Sequence, residues 1–348
     1  MAASILHACG IGWRPEPFGV SRIPTRLQPG IGPWLAGSYL GGAQWPEIRL
    51  AHVDISGADL ADSVLTGAIL ECAMAQKADF RGATLSGASL RGLQAQQANF
   101  SGANLARVRA DEASFNGADF NGATLENASL CECSFRTADL ESATFRGADL
   151  SRAILEQATI RDADFTGANL TTAQLAHLRL VEACFAGAQF TGAKLTRCDL
   201  EGMALPEAEF ADADLSGAVL TGSSMPRANF QRATLSNCGL ADIEWEEADL
   251  READLRGATF LMGSTRGGLV GSPIACEGSR TGFYTDDYLE QDFKSPEEIR
   301  KANLCGADLR GAIIHDVDFY LVDLRGAQYD EDQADHFRRC RAILEDRC

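Results

Sequence analysis

Ala113-Ser114-Phe115-Asn116-Gly117-Ala118-Asp119-Phe120-Asn121-Gly122 contains one five-residue phrase twice: Ala, a small polar residue, an aromatic, then Asn-Gly. Outward from this stretch the phrase returns as Ala58-Asp59-Leu60, Ala168-Asn169-Leu170 and Ala213-Asp214-Leu215, and its frame holds from Val53 to Phe260 without a slip. Of the 42 central positions, Leu or Phe occupies 35, and Ala occupies 31 of the positions two residues earlier, so composition alone does not produce the pattern. The exceptions at the centre are Ile55, Ala75, Ala95, Ala110, Ile160, Met225 and Trp245. A period of five matches neither the 3.6 of an α-helix nor the 2.0 of a strand, so the chain must turn at every repeat.

If each repeat is one side of a square coil, the central Leu or Phe and the Ala before it face inward and the other three residues face water. Gly at the second position after the centre, as in Gly57, Gly67, Gly82, Gly117 and Gly147, is then expected to relieve crowding at the corner. Phenylalanine spacing tests for four sides, because stacked coils bring residues 20 apart into contact. Phe80, Phe100 and Phe120 form one such series, Phe145, Phe165 and Phe185 a second, Phe190, Phe210 and Phe230 a third, and Phe115 with Phe135 a fourth. Seven Phe pairs are separated by 20 residues, against two by 15 and three by 25, which selects four repeats per turn. Aromatic columns of this kind add roughly 0.5–1.5 kcal/mol per pair beyond burial.

These A-[DN]-[LF]-x-G units resemble the pentapeptide-repeat superfamily, whose members are right-handed quadrilateral β-helices. The resemblance implies an all-β solenoid that binds other proteins and catalyses nothing.

The repeats divide the chain. Residues 1–37 are rich in Pro and Gly, with Pro15, Pro17, Pro24, Pro29 and Pro33, and are expected to cover the first coil. The β-helix is expected over 38–260, starting with the degraded repeats Ser38-Tyr39-Leu40 and Ala43-Gln44-Trp45. Residues 261–298 break the frame and read as an inserted loop that ends in a short helix led by Ser295-Pro296-Glu297-Glu298. Repeats resume over 299–329, from Ala302-Asn303-Leu304 to Tyr329. Residues 330–348 then read as a helix with Asp330 as cap and Phe337, Cys340, Arg341 and Leu344 on one face, which closes the last coil or joins two chains.

Chemistry of the catalytic kind finds little footing. No phosphate loop, nucleophile elbow or His-Glu-x-x-His occurs, and Gly263-Ser264-Thr265-Arg266-Gly267-Gly268 lacks the lysine of a phosphate cradle. His336 and Cys340 lie one helical turn apart but without further ligands nearby, so packing is the better reading. No catalytic residue, cofactor or metal is expected. The eleven cysteines are odd in number, and Cys133, Cys198 and Cys238 replace the inward Ala, which suits small buried thiols in a reducing compartment. With no apolar run of about 18 residues and no basic start before Trp13, the protein is expected in the cytoplasm.

Charge carries the functional reading. The net charge of −18 argues against nucleic acid or anionic membrane as direct partners and permits a basic protein surface as the target. Between Asp199 and Arg256 there are 13 acidic and 4 basic residues, nearly three coils' worth. Over the ~14 Å of those coils duplex DNA carries about eight negative charges, close to the excess here. Members of the superfamily in the quinolone-resistance and antibiotic self-immunity class are acidic rods that imitate DNA and occupy type II topoisomerases such as gyrase. By that resemblance the partner surface comprises Glu207, Glu209, Asp212, Asp214, Asp242, Glu244, Glu246, Glu247, Asp249, Glu252 and Asp254, with Phe283, Tyr284, Asp286, Asp287 and Tyr288 of the insert as a protruding contact. The alternative is a structural or adaptor rod accompanying a secretion or effector-delivery apparatus, docked through its Pro-rich start.

Overall fold

The five-residue period originates in one turn, repeated. In each repeat the carbonyl of the central residue accepts from the amide three residues on, as in Ala83 N to Phe80 O at 3.0 Å. The residue before that amide is left-handed: φ is +62° at Gly82 and +59° at Arg107. A turn of this kind requires positive φ at its third position, where glycine is unstrained. The expected relief of crowding holds only at some corners: a Cβ at Gly82 or Gly147 would press on the side-chain oxygen of Asp62 or Asn127 one coil away. At Gly57 and Gly102 a Cβ would meet nothing within 4 Å, so glycine is favoured there by backbone conformation rather than by space. Many corners hold Asp, Glu, Asn or Arg in the same conformation, most of them exposed.

A computed structural model describes residues 35–260 and 302–345. It shows a right-handed quadrilateral β-helix in which each coil takes 20 residues. Parallel bridges join residues one coil apart, such as Asp59 to Asp79 and Asp79 to Asn99. Each repeat contributes a central amide that donates forward, like Leu60 N to Asp79 O at 2.7 Å. The preceding residue's amide donates backward, like Asp79 N to Ala58 O at 2.9 Å. The backbone is thus satisfied between coils by very short bridges, with no long strand needed.

The coils form two compact units. The first comprises Met1–Gln174 with Glu182–Ala188, and the second Leu175–Val181 with Gln189–Cys348. In the first unit Phe80, Phe100 and Phe120 stack at 4.8 Å between successive centroids, as do Phe145, Phe165 and Phe185. Phe115 stacks on Phe135 at 5.2 Å, and its edge meets Phe100 and Phe120 from the neighbouring side. In the second unit Phe190, Phe210 and Phe230 stack at 5.0 and 5.1 Å, and Phe230 continues onto Trp245 at 4.4 Å. The Trp245 indole N–H donates to the buried Ser223 hydroxyl at 3.0 Å, which is why a serine stands in that inward position.

The inward cysteines follow the same logic. Cys133, Cys198 and Cys238 are fully buried, and each thiol donates to a carbonyl 23 residues earlier: Ala110 O at 2.8 Å, Leu175 O at 3.1 Å and Leu215 O at 3.0 Å. Burial pushes the Cys198 and Cys238 thiols up to about 12, so they are inert at neutral pH. Cys131 faces partly outward and cannot join Cys133 in a chelate.

After Phe260 the ladder resumes with a changed offset. Glu244 pairs with Asn303 and Asp249 with Asp308, 59 residues on instead of 20. The order of sides is nonetheless preserved, because Asp254 then pairs with Ile313 and Thr259 with Asp318.

Helix α1, Glu331–Cys340, starts at Asp330, whose amide donates to the Gln333 side chain at 2.9 Å. Its inward residues satisfy the last coil. The Gln333 amide donates to Leu309 O and Ala312 O at 2.9 Å, and His336 Nε2 lies 2.7 Å from Val317 O. Phe337 packs edge-on against Phe319 and Tyr329. Cys340 Sγ lies 3.5 Å from the half-buried His336 Nε2 and is itself buried against the coil. The expected helical face is realised only in its first half. Arg341 is the left-handed C-cap, and Ile343 returns to the ladder opposite Asp323, so Leu344 lies beyond the helix. Ten helical residues thus stand in place of two repeats within the final coil.

Candidate partner-binding surface

Stacking sorts the predicted acidic residues of the second unit into columns. Glu209 and Asp249 share one face, in the column Glu209, Asn229, Asp249 and Asp308. Glu244 lies on the face before it, in the column with Ala204, Ser224 and Asn303. Asp214 and Asp254 lie on the face after it, in the column with Lys194, Thr234 and Ile313. Corner residues complete the set: Glu207, Glu246 and Glu247 flank the Glu209 face on one side, and Asp212 and Glu252 flank it on the other. Asp242 occupies the corner ahead of Glu244. Three adjacent faces therefore carry all eleven, while the fourth carries Asp199, Val219, Gly239 and Thr259. Phe283, Tyr284, Asp286, Asp287 and Tyr288 lie outside the described residues.

The carboxylates divide by what they do for the fold. An Asp or Asn just before the centre accepts the amide two residues on, which the ladder leaves unpaired: Ser216 N to Asp214 at 3.0 Å, Arg251 N to Asp249 and Arg256 N to Asp254 at 3.1 Å. These aspartates hold the corner in an Asx turn. Glu207, Glu209, Asp212, Glu244, Glu246, Glu247 and Glu252 accept no such amide from their own repeat among the described residues. Charge alone does not separate the two kinds.

Arginines partner a second subset. Where the repeat reads Asp-Leu-Arg, the guanidinium folds back on the aspartate: Arg251 on Asp249 and Arg256 on Asp254 at 2.5 Å, repeated by Arg310 on Asp308 and Arg325 on Asp323. At the corners the pairing runs between coils, Arg227 to Glu207 at 2.6 Å and Arg232 to Asp212 at 2.7 Å. A spacing of 20 thus does on this wall what i,i+4 does on a helix. Hydrogen bonds from these arginines hold the carboxyls of Asp212, Asp249, Asp254 and Asp308 below the usual carboxylate range. Both patterns are visible in the sequence, as Asp-x-Arg triplets and as the Glu207 to Arg227 interval.

A carboxyl whose folded value is depressed stabilises the fold above its unfolded value of about 3.9 and ceases to do so as pH falls through the lower folded value. Stability is therefore expected to be flat from neutral pH down to about pH 5 and to fall below about pH 4. Urea unfolding across that range measures it.

What remains available to a partner is narrower than the sequence suggested. Glu244, Glu247 and Glu252 form no ion pair among the described residues. Glu209 and Glu246 accept only neutral amides, from Asn229 at 2.8 Å and Asn303 at 2.7 Å. Among the described residues no group of three His, Cys, Asp or Glu is placed to hold a metal ion, and no helix is long and apolar enough to cross a membrane.

The family model for pentapeptide repeats matches eight times, over residues 35–71, 48–87, 98–136, 118–157, 138–175, 183–222, 228–260 and 299–326, more than half of the chain. The chain belongs to the pentapeptide-repeat family. Solved pentapeptide-repeat structures similar to it include HetL of the cyanobacterium Nostoc sp. strain PCC 7120, involved in heterocyst differentiation regulation. That match is at 23% identity over 81% of this chain and 89% of that one, with a TM-score of 0.23. A trypsin-treated form of QnrB1, a plasmid-mediated fluoroquinolone resistance protein, matches at 16% identity over 87% of this chain and 100% of that one, with a TM-score of 0.35. A protein of the Arabidopsis thaliana thylakoid lumen matches at 30% identity over 34% of this chain and 68% of that one, with a TM-score of 0.12. Comparison with curated proteins finds no match.

Proposed function

We propose that this pentapeptide-repeat protein is a non-enzymatic binding protein that offers the acidic faces of its second unit to a basic protein groove. In the sharper form of this reading the groove is the DNA-binding surface of a type II topoisomerase such as gyrase. The observation that supports it is the set of carboxylates without an ion pair among the described residues, Glu244, Glu246, Glu247 and Glu252 with Glu209, on adjoining faces and corners. The nearby cations Arg227, Arg232, Arg251 and Arg256 are already engaged by acids of the same wall. A partner that neutralises the glutamates gains their charge without first breaking a pair. Asp214, Asp249 and Asp254 contribute field but are tied to their corners.

Titrating the protein into a gyrase supercoiling reaction tests this. Loss of supercoiling, or protection from a fluoroquinolone, is expected at micromolar protein. Replacing Glu244, Glu246, Glu247 and Glu252 by Gln should weaken it at least tenfold. Absence of any effect at micromolar excess removes the topoisomerase reading. The ion-paired corner columns, which stiffen the wall without addressing a partner, favour a structural or adaptor role as the second reading. Pull-down with and without residues 1–38 separates the two, since topoisomerase binding should survive the deletion.

A further inference from the structure

The first unit carries a belt of the opposite sign. Between Cys72 and Ala110, nearly two coils, stand Lys77, Arg81, Arg91, Arg107 and Arg109 with Asp79 as the lone acid. The flanking coils are purely acidic: Asp54, Asp59, Asp62 and Glu71 on one side, Asp111, Glu112, Asp119 and Glu126 on the other. Arg81 is engaged by Asp79 and Arg91 by Glu112. Lys77, Arg107 and Arg109 are exposed and form no ion pair among the described residues. Arg49, also exposed and without an ion pair among the described residues, lies in the column that leads through Ile69 and Ser89 to Arg109.

We infer that this belt binds the acidic faces of the second unit of another copy of the same chain. Three observations select that occupant. Lys77, Arg107 and Arg109 of the belt form no ion pair among the described residues, and neither do Glu244, Glu247 and Glu252 of the second unit. The unpaired charges also cluster: Arg107 and Arg109 stand side by side at one corner and the face after it, and Glu244, Glu246 and Glu247 stand side by side on one face and the corner after it, so each cluster offers opposite charge within a single coil. Finally, helix α1, the other candidate for self-association, buries Phe337, Cys340 and Ala334 against its own coil. The contact joins two different surfaces, so it is heterologous. Exposed ion pairs are individually weak and are screened beyond about 8 Å at physiological salt, so the association belongs to low ionic strength.

Sedimentation of the full-length protein is the test. At low salt the weight-average mass is expected to rise with concentration above that of the monomer, and at about 1 M salt, where screening reaches ~3 Å, to return to it. Arg107→Glu with Arg109→Glu should hold the protein monomeric at low salt, and so should Glu246→Arg with Glu247→Arg. Mixing the two double variants should restore association, because each then supplies the complement of the other. All four sites are exposed, and the left-handed corners at 107 and 247 accept Glu and Arg elsewhere in the wall, so both variants should fold. A monomer at every salt concentration, association that survives 1 M salt, or a mixture that stays monomeric overturns the inference. None of these outcomes decides the supercoiling test, whose readout is gyrase activity and not the mass of the protein.

Discussion

Phe100→Ala is expected to lower the free energy of unfolding by about 3–5 kcal/mol, the range for removing a fully buried phenylalanine. The ring is completely buried, stacked at 4.8 Å on Phe80 and on Phe120, with the edge of Phe115 at 5.7 Å. Its removal leaves a gap in a column only one side chain wide, and the coils cannot close over it without breaking their ladder. Because each coil touches only its neighbours, the loss should be concentrated in the coils that hold Phe80, Phe100 and Phe120. Urea unfolding gives the magnitude, and amide exchange along residues 80–120 gives the location. Phe100→Leu, which installs the commonest central residue of the repeat, should cost clearly less. Equal costs for Ala and Leu would mean that the column is not what holds these coils.

Ending the chain after Tyr329 is expected to have the second large effect. Removing helix α1 strips Phe337 from Phe319 and withdraws Gln333 from Leu309 O and Ala312 O, and His336 from Val317 O. It also removes Ile343, whose carbonyl accepts Leu324 N at 2.8 Å. Each buried polar group left unpaired costs roughly 1–3 kcal/mol, and an uncovered β edge recruits other chains. The truncated protein should therefore lose protection over residues 302–329 and aggregate. Light scattering at high salt distinguishes this from the charge-driven association of the intact chain, since apolar end contacts persist there. A soluble, fully protected 1–329 fragment would show that the helix is not the closure of the last coil.

Most of the wall was legible because its signals are redundant. The period of five came from Leu, Phe and Ala at fixed positions, and the seven Phe pairs at a separation of 20 are the seven that stack. The left-handed corner was not legible from glycine alone, because residues as different as Arg107 and Glu132 adopt it too. The place where α1 yields to the ladder was hidden because Arg341 and Leu344 fit a helical stripe, whereas the register with Asp323 that claims Ile343 is a long-range contact. In the candidate surface, counting charge located an acidic region but could not rank its members. That ranking depends on which carboxylate already serves a corner amide, as Asp249 does, or an arginine one coil away, as Glu207 does.

The jump from Glu244 to Asn303 has a consequence of its own. Chain can be spliced in where two sides of the square meet, and the layers above and below take no notice, because they see only the backbone groups that resume at the next side. Such a scaffold acquires appendages one vertex at a time, without renegotiating its interior. What a pentapeptide wall recognises can then change by grafting at a vertex while the wall itself stays the same.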